Sequence, residues 1–126
     1  DNDVTVFDET TGTLWLSDLL FIEHTPVVDG KLKGWLAVMD ELRGIKANSV
    51  IPGHGAVQKN WPTAAKNQQR YLESLLNETR QMLSDRKTMQ QAVETVGVSE
   101  RDQWQLFDLF HKRNVTTAFA ELEWED

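Results

Sequence analysis

The spacing of apolar side chains changes along this chain, and those changes limit the folds open to it. Residues 4 to 8, VTVFD, and 13 to 17, TLWLS, alternate apolar and polar side chains on either side of Glu9-Thr10-Thr11-Gly12, the pattern of a β-hairpin. From Gly30 the spacing lengthens to three and four, through Leu32, Trp35, Leu36, Met39 and Leu42, which predicts one buried helix face ending at Gly44. Ser49-Val50-Ile51 is too short for a helix and stops at Pro52-Gly53, so it reads as a buried strand feeding the turn IPGHGAV. The expected order is strand, strand, helix, strand, an α/β arrangement.

After Pro62 the spacing is helical to the end. Tyr71, Leu72, Leu75, Leu76, Thr79, Met82 and Leu83 form one long stripe, and Thr88 to Val96 predicts a shorter helix closed by Gly97. Ser99 with Asp102 resembles a helix start, followed by a face of Trp104, Phe107 and Phe110. A last helix is expected from near Asn114, with Val115, Ala118, Phe119 and Leu122 inward. The seam near Lys59 to Pro62 divides residues 1–60 from a helical tail, 61–126. Three short strands and one helix leave one sheet face with little to cover it, and an uncovered face is costly. A covering partner is therefore expected.

With 126 residues, 40% of them hydrophobic, the chain fits one domain. Its net charge of −7 opposes binding to nucleic acid or to an anionic membrane surface. Cysteine is absent, which excludes disulfides, thiolate zinc sites and a cysteine nucleophile. No run reaches about 18 apolar residues, so no membrane insertion is expected. The start DNDVTVFDE lacks the regions of a signal peptide, and bacterial periplasm and cytoplasm both stay open.

Asp18 closes one predicted strand and His54 follows another, with the predicted helix as crossover. In α/β sheets such strand ends meet in the crevice where ligands bind, and a carboxylate with a neutral imidazole suits zinc or another first-row divalent metal. Each residue also has a plainer reading, His54 as a turn residue and Asp18 as the cap of a turn.

LWLSDLLF, then HTPVVDG, GWLAVMDEL and VIPGHG together resemble the C-terminal half of the metallo-β-lactamase fold hydrolases. DGKLKGWL and FHKRNVTTAFAELEWE are most similar to one subgroup, the quinoprotein relay system zinc metallohydrolases, relatives of sulfur-oxidation-associated hydrolases. The resemblance implies half of an αββα sandwich followed by a helical tail. It also implies one or two zinc ions, bridged by Asp18 and bound by His54, and hydrolysis of an ester, thioester or lactam carbonyl by a hydroxide generated on the metal. Mononuclear iron and persulfide oxidation are the alternative within the superfamily.

The family's opening cluster His-x-His-x-Asp-His is absent, and Ser17 stands where the family usually has glycine. The chain is thus expected to be a fragment, inactive alone, completed by a missing N-terminal half or by a homodimer, and acting on a small-molecule substrate. The rival reading is a non-catalytic module that self-associates.

Further residues carry paired readings. His24 either borders the site mouth and contacts substrate or is a solvated loop histidine. Asp3 either orients a metal ligand or begins the first strand. His111 is expected to be structural, Asp29-Gly30 a turn, Trp35 and Trp104 core, and Trp61 a packing residue between tail and sheet. The sequons at Asn77 and Asn114 fall in predicted helices, and ELEWED reads as a solvated helix end.

Overall fold

A computed structural model describes residues 5–29 and 31–125; Asp3 lies outside the described residues. The hairpin forms as β1 (Val6–Asp8) and β2 (Thr13–Phe21), antiparallel, with Val6 opposite Trp15 and Asp8 opposite Thr13. Its turn is fixed by the Asp8 carboxylate accepting from Thr10 N at 2.9 Å and by Gly12 N on the Asp8 carbonyl at 2.8 Å. The crossover helix α1 (Leu32–Leu42) returns the chain to β3 (Ser49–His54), which runs parallel to β2 with Leu14 opposite Val50. The result is a mixed three-stranded sheet in the order β1-β2-β3 within an α/β fold, as the alternation of apolar spacing predicts.

A 3-10 turn (Thr63–Ala65) leads into α2 (Lys66–Ser84), then α3 (Met89–Thr95), a second 3-10 segment (Val98–Gln103) and α4 (Phe107–Leu122). Two apolar clusters hold these elements together. Strand alternation turns Leu14, Leu16 and Val50 inward against Met39, Leu42, Trp61 and Ala65. The second cluster joins Val28, Leu32 and Leu36 to Tyr71, Leu72 and Leu75 of α2 and to Val115, Ala118 and Phe119 of α4. On the other face of the sheet, Val6 and Trp15 remain 53% and 48% exposed, the bare face expected from three strands and one helix.

Two tail expectations are corrected. The last helix does not begin near Asn114: α4 is continuous from Phe107 to Leu122, and Asn114 lies inside it, 1% exposed. Its amide serves distant groups and not a helix start. Oδ1 accepts from Val28 N at 3.0 Å, and Nδ2 donates to the Pro26 carbonyl at 2.6 Å and to the Tyr71 hydroxyl at 2.9 Å. The start read at Ser99 yields only the 3-10 segment, and α4 follows a left-handed Leu106 at φ 61°.

The acidic end is also more than a solvated terminus. Lys31 offers α1 no side-chain cap, so the Glu121 carboxylate takes that role, accepting from Leu32 N at 2.6 Å and Lys33 N at 3.2 Å. Glu125 bridges Arg80 at 2.7 Å and Lys33 at 2.9 Å, and these cations hold its carboxyl at about 2.

His111 is structural, as expected. Its Nε2 lies 2.6 Å from the Val96 carbonyl, which only accepts, so Nε2 carries the hydrogen and Nδ1 is bare. Tyr71 therefore donates its hydroxyl hydrogen to Nδ1 at 2.8 Å and accepts from Asn114. Burial keeps the Tyr71 phenol protonated well above its usual range and His111 neutral.

Candidate functional site

Asp18 does not end β2 but sits within it, just past a bulge. Ser17 adopts φ 50°, and the pairing with β3 slips between Trp15 and Ser17 and again between Ser17 and Phe21. A left-handed residue in a strand is strained unless it is glycine. The bulge re-aims the chain at Asp18, whose side chain is 63% exposed at the mouth of a cavity of about 610 Å³.

His54, the last residue of β3, lines the same cavity, its Nε2 3.4 Å from Asp18 Oδ1. That is longer than the usual N–H···O bond of about 2.7–3.2 Å. It matches the edge of a coordination tetrahedron, since two ligands at about 2.0–2.1 Å from zinc lie about 3.3–3.4 Å apart.

The glycines flanking His54 permit a close approach between strands. A Cβ on Gly53 would stand 2.5 Å from the Ser17 carbonyl oxygen and 2.7 Å from the Asp18 carboxylate. Gly55, at φ 113°, would press a Cβ to 2.6 Å from Cβ of Ile22. Only a chain without side chains at these points lets β3 close on the bulge and bring the two donors together.

Gln68, 1% exposed on α2, holds the backbone beyond Asp18. Its amide donates to the Leu19 carbonyl and accepts from Phe21 N, both at 2.8 Å, acting as a local strand partner. Sequence reasoning missed it. The available signal was its place three residues before Tyr71 on the buried stripe of α2, where an amide requires partners.

The His54 ring is fixed by stacking on Phe21, centroids 4.6 Å apart and planes at 4°. His24 packs on its other neighbours, 5.0 Å from His54 and 5.1 Å from Phe110 of α4. His24 is half-buried rather than solvated, because backbone bonds tie Thr25 N to the Gln105 carbonyl at 3.0 Å and Gln105 N to the Glu23 carbonyl at 2.7 Å. Its Nδ1 lies 2.6 Å from the Thr25 carbonyl and so carries the hydrogen, leaving Nε2 bare in the neutral ring.

Trp35, expected in the core, is half-buried, packing against both apolar clusters and also lining the cavity, its indole N–H on the Leu19 carbonyl at 3.0 Å. Asp29 and Lys31 also line the cavity, and Asp29 faces Arg113 at 3.4 Å.

Among the described residues no group of three or more His, Asp and Glu side chains is gathered to hold a metal ion. Asp18 and His54 fit two adjacent positions of a tetrahedral centre. No model of a known protein family matches the chain, and no curated protein matches it.

Proposed function

We propose that this chain is the C-terminal part of a metallo-β-lactamase fold hydrolase, most like the quinoprotein relay system zinc metallohydrolases, with Asp18 and His54 as metal ligands. The observation that carries the reading is the 3.4 Å approach of these two donors at the cavity mouth, from neighbouring strands joined by a crossover helix. An ordinary ion pair is a poorer account. Exposed pairs contribute little to stability, yet this approach requires a left-handed Ser17 and a bare Gly53.

When bound, zinc lowers the pKa of water and polarises the acyl oxygen of an ester, thioester or lactam. Asp18 and His54 hold the ion, Phe21 and His24 fix the imidazole, and Trp35 walls the site. Catalytic zinc takes three protein ligands, so the isolated chain binds metal weakly and is inactive. The remaining ligands, and the cover for Val6 and Trp15, come from a preceding half of the same protein.

Zinc titration followed by calorimetry and by the His54 ring resonances tests this. Weak binding that disappears in Asp18→Ala and His54→Ala is expected; two tightly held ions per chain, or an unresponsive His54, refutes it. Iron accepts the same ligands, so metal analysis of protein purified without added metal separates a zinc hydrolase from an iron persulfide dioxygenase.

The bare sheet face supports a second reading, a non-catalytic module that self-associates through Val6 and Trp15. Sedimentation decides between them: a dimer abolished by Trp15→Lys favours self-association, and a monomer favours the half-domain.

A further inference from the structure

The cavity beside Asp18 and His54 has one apolar wall and a charged rim. Leu19, Phe21, Val27, Trp35 and Val38 form the wall, and Trp35 is held rigid by the Leu19 carbonyl and by the Phe21 ring at 5.9 Å. The rim carries Asp29 and Lys31. Asp29 faces Arg113, whereas Lys31 makes no ion pair among the described residues. In a chain of net charge −7, a cation left free at a cavity rim is where an anion finds local attraction.

Gly34 adds a separate observation. It stands in the first turn of α1, where glycine weakens a helix relative to alanine. The fold does not require it: its φ lies outside the left-handed region, and a Cβ there would have only the Lys31 Cβ within 4 Å, at 3.9 Å. Gly34 lines the cavity, so the space left free is cavity space.

The metallohydrolase reading leaves the substrate class open, and resting on that reading, we propose that the cavity takes an anionic amphiphile. Its acyl or aryl body lies over Gly34 against Trp35 and Val38, its anionic group meets Lys31, and its carbonyl turns toward Asp18 and His54. A volume of about 610 Å³ suits such a molecule, since small-molecule sites span about 300–1,000 Å³. Apolar burial supplies the attraction, and Lys31 fixes which end points outward. Asp18 opposes the reverse orientation, and Arg113 at 3.4 Å offsets the charge of Asp29 on the rim.

The test uses the whole chain in EDTA, with 6-phenylhexanoate as the probe and 6-phenylhexylamine as its charge-reversed control. Binding is followed by the resonances of the Gly34 amide and the Trp35 indole. The carboxylate is expected to shift both and to bind at least tenfold more tightly than the amine, a preference that Lys31→Met removes. Gly34→Leu weakens binding at least tenfold without lowering the urea midpoint. Val38→Trp, which fills the same space from an exposed helix position, gives a second measure of the loss. Equal binding of the two probes, or undiminished binding in both cavity-filling variants, overturns the proposal. Metal is excluded from this experiment, so probe binding without zinc affinity sinks only the metallohydrolase reading. Zinc affinity without probe binding sinks only this one.

Discussion

Replacing Gln68 with leucine measures how strongly the helical tail holds the strand that carries Asp18. The substitution keeps side-chain volume and removes both bonds to β2. The Leu19 carbonyl retains the Trp35 indole at 3.0 Å, so its loss is an ordinary net hydrogen bond, about 0.5–1.5 kcal/mol. Phe21, 3% exposed, loses the amide acceptor of its N–H, and a buried orphaned donor costs about 1–3 kcal/mol. Burying a more apolar side chain offsets roughly 1 kcal/mol. A net loss of about 2 kcal/mol follows, well short of the roughly 5–15 kcal/mol that holds a domain folded. With a urea slope of about 1–3 kcal/mol/M, the midpoint falls by roughly 1 M at unchanged slope. Hydrogen exchange at the Phe21 amide should accelerate in step. A midpoint within about 0.3 M of the unsubstituted chain, or an unaltered Phe21 exchange rate, refutes the view that Gln68 serves as a strand partner.

Burial is the largest influence on His111 and holds it below the ordinary imidazole value of 6.5, against the Val96 carbonyl that favours the charged ring. Above that value both folded and unfolded chains leave the ring neutral; below it the unfolded chain takes up the proton first, so this contribution to stability is lost as pH falls from 6.5 toward the folded value. Urea midpoints between neutral and acidic pH read the slope, and a His111 resonance titrating at or above the ordinary value contradicts it. Gly53→Ala forces a Cβ against the Ser17 carbonyl and should separate Asp18 from His54, seen as a loss of the His54 response to zinc with the tail resonances unmoved. Ser17→Gly relieves about 1–2 kcal/mol of left-handed strain but frees the unfolded chain, leaving a net change of about 0–1 kcal/mol in favour of the fold by urea titration.

The hairpin, the crossover helix and the third strand were legible because each depends on local periodicity. Trp15 and Leu16 differ by one position in an alternating strand, and one is exposed while the other is fully buried. The α4 boundary was not legible, because Asn114 looks locally like a cap and its amide bonds only to residues more than forty positions away. The half-burial of His24 was not legible for the same reason: it comes from Phe110 and Gln105 of the tail, and nothing adjacent in sequence announces them.

The sequence by itself determined the order of elements, the bare sheet face and the presence of a carboxylate and an imidazole near neighbouring strand ends. Periodicity and turn chemistry are short-range, and they carry that much. Tertiary structure decided that Asp18 lies past a bulge inside its strand rather than at its end. It also decided that the glycines around His54 admit a close strand approach, and that Gln68 and Trp35 converge on the Leu19 carbonyl. These depend on which backbone atoms meet across the fold, a relation fixed only when α1 and α2 meet the sheet and α4 packs against α2.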